Sequence, residues 1–141
     1  MKKFARAIIA AAMLSVLCFT LCACVNNYAS NYSSSKMSIS NTSDSSAISF
    51  DTYSGTYVIK FNNSGNDKSV ITYNASLKEG NIKVYYDFNG EKLDMFEVGT
   101  DGVAEGKTEA FANSKTIYVI IESDGKCDTG SFSFSLEKAA E

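Results

Sequence analysis

From Ile48 onward the chain alternates apolar and polar residues with a period of two, and this pattern limits the possible folds most strongly. Ile82, Val84, Tyr86 and Phe88 form its clearest run. Successive side chains of a strand point to opposite faces of a sheet, so this alternation predicts half-buried strands. Four strands are predicted by such runs, at 48–50, 57–61, 71–75 and 82–88. No window of ten or more residues downstream of residue 24 has a helical period.

Turn residues divide the remainder of the chain into further strands. Asn89-Gly90 predicts a type I′ hairpin, because both central residues of that turn need a positive φ, and it pairs 92–98 with 81–88. The stretch 116–121 is apolar on both faces, which is typical of a central strand. Between residues 102 and 111 the pattern is weaker, and Val103 to Glu105 permit a short helical turn that Gly106 disfavours. The last strand is predicted at 131–136, with Phe132, Phe134 and Leu136 facing inward.

The predicted fold class is all-β, an antiparallel β-sandwich or small barrel of seven to eight strands. It spans residues 48–138 and leaves a tail at 139–141. A domain of about 90 residues buries somewhat over 60% of its extended-chain surface, which is enough for independent folding.

The N-terminus has the features of an export signal. Lys2, Lys3 and Arg6 precede a continuous apolar segment, residues 7–21. A helix of that length reaches about 22 Å and is too short to cross a hydrocarbon core of roughly 30 Å. Residues 1–23 are therefore predicted to be a signal helix that is removed after export.

The sequence Leu21-Cys22-Ala23-Cys24 resembles the recognition sequence of bacterial lipoprotein signal peptides. Leu21 and Ala23 occupy the signal-recognition positions, and Cys22 departs from the usual small residue at its place. The resemblance implies that Cys24 becomes the mature N-terminus, carries a diacylglycerol thioether and anchors the protein to the extracytoplasmic face of the cell membrane. The alternative is an ordinary secretory signal that leaves Cys24 a free thiol.

Residues 24–47 are predicted to be a lipidated N-terminus followed by a flexible tether. The segment 26–47 contains nine Ser and four Asn, with Met37 and Ile39 as its only large aliphatic residues. Such a composition buries too little apolar surface to offset the entropy of ordering. As a random coil it would hold the domain on the order of 25 Å from the membrane. The alternative is that Met37 and Ile39 begin an edge strand.

Charge and cysteine content narrow the possible partners. Sixteen acidic and ten basic residues follow Cys24, which gives a mature net charge of −6. An acidic exterior argues against nucleic acid and anionic headgroups as ligands. Cys127 is the only cysteine after Cys24, so once Cys24 is acylated no intramolecular disulfide is expected.

The segments 82–93, 117–121 and 130–136 together resemble the β-jelly-roll accessory domains of secreted bacterial proteins, such as prepeptidase C-terminal and carbohydrate-binding modules. The similarity rests on hydrophobic alternation and turn glycines across most of 56–136. It implies a jelly-roll-like sandwich that binds polysaccharide, protein or calcium, and it carries over no ligand residue.

Catalytic chemistry has little support in the composition. The chain contains no His, which removes the commonest general base and metal ligand. Paired carboxylates can cleave glycosidic bonds, but Asp87 and Glu91 flank the Asn89-Gly90 turn, where charges commonly keep an edge solvated. A calcium site is the stronger alternative, since carboxylates in Gly-rich loops supply the oxygens that calcium needs. The candidate ligands are Asp101, Glu105, Asp124 and Asp128, all of which also suit ordinary turns.

Two tyrosines give the one indication of binding. With Tyr86 facing inward, Tyr85 points to the opposite face of its strand, and Tyr118 likewise opposes Ile117 and Val119. Together they would form a ligand platform for sugar rings or a protein partner. The alternative is that both are half-buried cross-strand residues.

The sequence therefore predicts a membrane-anchored cell-envelope lipoprotein whose β-sandwich is a non-enzymatic binding or structural module. A calcium-dependent carbohydrate-binding or carbohydrate-active protein is the alternative. No cofactor is expected apart from calcium, and the ligand is a polysaccharide or a protein of the envelope.

Overall fold

The computed structural model describes residues 28–62, 68–112 and 116–140. The predicted signal peptide, with Leu21 and Ala23, and the predicted acylation site Cys24 lie outside the described residues. Ten strands make up the regular structure of the described ranges: β1 (Asn31–Ser35), β2 (Ser38–Asn41), β3 (Ser45–Asn62), β4 (Lys68–Glu79), β5 (Ile82–Asp87), β6 (Leu93–Val98), β7 (Gly102–Lys107), β8 (Phe111–Ala112), β9 (Thr116–Ser123) and β10 (Cys127–Lys138).

The protein is an antiparallel all-β sandwich, as predicted. The strands follow the order β6-β5-β9-β3-β10-β4-β7, with β1 and β2 on β3 and β8 on β4, and every pair is antiparallel. Strand β9 lies between β5 and β3, which confirms its central position. None of the described residues forms a helix that is long and apolar enough to cross a membrane.

The sheet folds into two layers because β3 passes from one layer to the other near its middle. Strand β3 pairs with β10 along Ser45–Tyr53 and with β9 along Thr56–Asn62. Strand β4 pairs with β10, and β7 pairs with β4. In the same way, β5 pairs with β9, and β6 pairs with β5. The first layer is β6, β5, β9 and the second half of β3; the second layer is the first half of β3, β10, β4 and β7. The Asn62 amide donates to the Ser43 carbonyl at 3.0 Å, so β3 curls until its two ends nearly meet.

The boundary at which β3 and the connections β4–β5, β6–β7 and β9–β10 pass from one layer to the other is here called the crease. Several residues along it have a positive φ. Gly55 in β3 and Gly80 between β4 and β5 have φ values of 107° and 111°. Asp101 and Gly125, in the β6–β7 and β9–β10 turns, have φ values of 55° and 74°. Gly80 also permits close approach, since a Cβ there would lie 2.5 Å from Sγ of Cys127. Glycine is needed at Gly55 and Gly80 because a side chain there would meet both backbone strain and steric overlap.

The core lies between the layers and is filled by aromatic and branched residues. Phe96 of β6 stacks against Phe132 and Phe134 of β10 across the sandwich, with ring centroids 6.4 and 6.2 Å apart. Phe132, Phe134 and Leu136 are buried, as predicted. The core is continuous through both layers, so the sandwich is held by one hydrophobic cluster.

The predicted tether is wrong for the described part of 24–47. Residues 31–35 and 38–41 form β1 and β2, which pair along β3 from Asn31 opposite Thr56 to Asn41 opposite Ser46. The alternative of an edge strand at Met37 and Ile39 is the better description. The backbone explains the error, since main-chain hydrogen bonds form a ladder whether or not the side chains are apolar.

Smaller details of the predicted strands and turns also change. The runs 48–50 and 57–61 belong to one strand, β3, and the uncertain stretch 102–111 contains β7 and the start of β8, with no helical turn. The described ranges contain ten strands instead of seven or eight, because β1, β2 and β8 lack a long apolar alternation. The β5–β6 hairpin forms as predicted, but its loop is residues 88–92, and Gly90 has a positive φ while Asn89 does not. The turn is therefore not type I′.

Candidate functional site

Tyr85 and Tyr118 share the outer face of the first layer, which is here called the tyrosine face. Ile120 of β9 is opposite Val58 on one side and Tyr85 on the other. Two residues earlier on β9 and on the same face, Tyr118 is opposite Lys60 of β3 and Asp87 of β5. Ile120 is only 1% exposed although it points away from the core, because the neighbouring side chains on this face cover it.

Both predicted platform rings contact other side chains of the chain. The Tyr118 ring meets the Tyr28 ring edge-on at 5.2 Å, and the Lys60 ammonium lies 5.7 Å from its centroid. The Lys92 ammonium lies 4.1 Å from the centroid of Tyr85, within the range of a cation–π interaction. Tyr85 and Tyr118 are each half-buried. The tyrosine face therefore presents two aromatic rings, but part of their surface is covered by two lysine side chains and by Tyr28.

Asp87 has a structural role at the edge of this face. Its carboxylate accepts the Tyr28 hydroxyl at 2.6 Å and the backbone amides of Gly90 and Asn89 at 2.7 and 3.1 Å. Asp87 is 2% exposed, so these bonds replace water around a buried carboxylate. Sequence reasoning missed Tyr28. The available signal was an aromatic residue within a stretch rich in Ser and Asn.

The outer face of the second layer contains an open depression of about 760 Å³, here called the polar groove. It crosses β2, β3, β10, β4 and β7. Strand β10 alternates buried Phe132 and Phe134 with outward serines, so Ser133 and Ser135 supply part of the lining. The lining residues are Ser40, Ser45, Ser46, Ala47, Thr72, Tyr73, Asn74, Glu105, Gly106, Lys107, Ser133, Phe134 and Ser135.

The lining is rich in groups that donate and accept hydrogen bonds. Ser133 lies at its centre, opposite Ala47 on β3 and Asn74 on β4. Its hydroxyl donates weakly to the Asn74 carbonyl at 3.4 Å, and the exposed Asn74 amide has both donors and an acceptor. Glu105 and Lys107 add one charge of each sign on β7. Sequence reasoning placed the serines outward, but the groove exists only where five strands come together.

The four candidate calcium ligands do not converge. Asp101 lies in the β6–β7 turn, Glu105 lines the polar groove, Asp124 lies in the β9–β10 turn and Asp128 pairs with Lys126 at 3.5 Å. Among the described residues no three carboxylate or cysteine side chains gather closely enough to hold a metal ion.

Cys127 is fully buried at the crease. Its thiol lies 3.5 Å from the Asn81 carbonyl, which it can donate to, and burial raises its pKa. A protonated, inaccessible thiol is a poor nucleophile, so Cys127 packs against Gly80 as a small apolar residue.

Comparison with known proteins assigns a fold but no family. No protein-family profile matches the chain, and no curated protein matches it. Among solved structures, TmCBM61 in complex with β-1,4-galactotriose is 16% identical, and the match covers 77% of this chain and 88% of that one with a TM-score of 0.50. A CBM4 structure is 13% identical over 80% and 93% of the two chains, with a TM-score of 0.40. Protein NMB1881 from Neisseria meningitidis is 15% identical over 80% and 91%, with a TM-score of 0.31. The first of these shows that the chain has a β-sandwich fold found in carbohydrate-binding modules.

Proposed function

We propose that this protein is a non-catalytic module that binds a neutral polysaccharide in the polar groove. The groove itself is the observation that carries the proposal. Its volume of about 760 Å³ lies within the range of ligand sites, and hydroxyl and amide side chains line it from four of its five strands. The hydroxyl groups of a saccharide are closely spaced, and the hydroxyl and amide side chains of the groove can form hydrogen bonds with them. The galactotriose bound by the similar TmCBM61 fold makes β-1,4-galactan the first ligand to test.

The distribution of carboxylates supports binding without cleavage. Glycoside hydrolysis needs two carboxyl groups that flank the scissile bond at about 5 to 10 Å. Glu105 is the only acid in the lining of the polar groove. The buried carboxylate of Asp87, on the other layer, is fully used in binding Tyr28 and the β5–β6 loop.

Electrophoresis in gels containing β-1,4-galactan tests this proposal. Ser133→Arg places a long side chain in the centre of the groove and is expected to abolish retardation by the polysaccharide. Ser131→Arg is the matched control, because Ser131 faces the same way on the same strand but lies outside the lining. Equal retardation of both variants would contradict the assignment of the groove, and absence of retardation of the unmodified protein by any neutral polysaccharide would contradict the function.

Anchoring to the cell membrane is the second part of the proposal. Leu21 and Ala23 would direct processing, and acylation of Cys24 would hold the module on the extracytoplasmic face. Two long acyl chains give a stable anchor because each buried methylene adds about 0.8 kcal/mol. Cys24→Ala is expected to abolish both palmitate incorporation and recovery in the membrane fraction, and unchanged labelling and fractionation would contradict the anchor.

A further inference from the structure

The segment that follows the proposed acylation site is attached to the sandwich almost at once. Tyr28, the first described residue, donates to Asp87 at 2.6 Å and packs edge-on against Tyr118 at 5.2 Å. Two residues later the Ser30 hydroxyl accepts the Val58 amide at 2.9 Å. Strand β1 then begins at Asn31. Residues from Tyr28 onward are therefore part of the folded module.

This attachment limits how far the module can stand from its anchor. Only four residue steps separate Cys24 from Tyr28. Even fully extended, four steps span at most about 14 Å. A flexible tether of the predicted length would have averaged on the order of 25 Å and allowed every orientation.

Tyr28 also lies toward one particular end of the strands. Its partner Asp87 is the last residue of β5, and Tyr118 is near the start of β9. The crease, with Asp124 just after β9, lies at the other end of both strands. Five residue steps along β9 lead from Tyr118 to Ser123, which corresponds to about 17 Å along the strand.

We infer that the lipid headgroups are the partner of this end of the sandwich, which is defined by Tyr28, Asp87, the 88–92 loop and Tyr118. The acylated Cys24 holds that end against the bilayer, and the crease points away from it. The inference rests on the proposed acylation of Cys24, and it adds a fixed placement to the anchor. The polar groove is thereby restricted to polysaccharide that lies close to the membrane.

Single-tryptophan reporters can measure this placement. The chain has no Trp, so Glu91→Trp in the 88–92 loop and Asp124→Trp beside the crease each introduce one fluorophore with the same change of charge. Both positions are exposed. The full-length gene is expressed in bacteria, and the lipidated protein is extracted from membranes and reconstituted in phosphatidylcholine vesicles that carry a nitroxide at the headgroup. Quenching at Glu91→Trp is expected to exceed quenching at Asp124→Trp by at least about threefold, since a tether of about 14 Å keeps only one end close.

A lengthened tether provides the control. About twelve Gly and Ser residues inserted after Val25 give a flexible chain, and the ratio of quenching between the two reporters is expected to fall toward one. If the unmodified tether gives the same ratio as the lengthened one, the placement is wrong while the anchor stands. Failure of the protein to float with the vesicles would overturn the anchor and the placement with it.

Discussion

Gly80 lies against Cys127 with no room for a side chain between them. A Cβ at position 80 would be 2.5 Å from Sγ of Cys127 and 3.0 Å from its Cα. The contact joins the β4–β5 connection to the start of β10, at the crease between the two layers. The two residues thus set how closely the layers approach each other at the crease.

Gly80→Ala is expected to lower the free energy of unfolding by about 2 to 4 kcal/mol, because backbone strain and overpacking act together. Gly125→Ala is the control. Its φ of 74° is also positive, but a Cβ there meets nothing within 4 Å, so only backbone strain applies. That strain costs about 1 to 2 kcal/mol. Urea unfolding measures both, and equal losses for the two variants would contradict the steric role of Cys127.

Tyr28→Phe is expected to lower the free energy of unfolding by about 1 to 3 kcal/mol, since it removes a hydrogen-bond donor from a buried carboxylate. Tyr32→Phe is the control in the same segment. Tyr32 is 40% exposed and packs edge-on against Tyr57, so its ring contributes through contact. Thermal unfolding compares the two, and an unchanged melting temperature for Tyr28→Phe would contradict the role assigned to the Asp87 contact.

Stability is expected to fall in alkaline solution. Burial raises the pKa of the Cys127 thiol and of the Tyr53 phenol, so the folded state retains protons that the unfolded state loses. The free energy of unfolding should therefore be independent of this thiol below about pH 8.5 and decline as the pH rises above it, with a steeper decline above about pH 10 from Tyr53. Urea unfolding at a series of pH values measures the slope. Cys127→Ala should remove the earlier part of the decline, and rising stability between pH 8.5 and 10 would contradict the expected sign.

The tyrosine face and the polar groove make opposite predictions for binding. If the groove holds the ligand, the double variant Tyr85→Ala with Tyr118→Ala keeps its retardation in β-1,4-galactan gels. The same variant should lose about 1 to 3 kcal/mol of stability, because the Tyr28–Tyr118 and Lys92–Tyr85 contacts disappear. Lost retardation with unchanged stability would instead assign the ligand to the tyrosine face.

The sequence predicted the structure correctly where buried residues recur with a regular period along the chain. In β10 the alternation of serine with Phe132, Phe134 and Leu136 predicted both the strand and its inward face, and the pattern of β9 predicted a central strand. Both follow from one rule, since residues two apart in a strand face the same side. The hairpin of β5 and β6 was also predictable, because Asn89-Gly90 separates two such runs.

Sequence reasoning failed where backbone pairing alone decides the structure. Strand β1 carries serines on both faces and β2 is only four residues long, and only the neighbouring edge of β3 makes them strands. The positions of Gly55 and Gly80 on a shared crease depend on register between distant segments, as does the contact of Tyr28 with Asp87.

The sequence by itself determined that this chain is all-β, where its main hairpin lies and which residues of β9 and β10 are buried, because those properties follow from local periodicity and turn chemistry. Only the tertiary structure decided that the described part of the Ser- and Asn-rich segment belongs to the sandwich and that five strands form an open polar groove. Those features arise from main-chain pairing between distant segments, which leaves no pattern in the residues of any one of them.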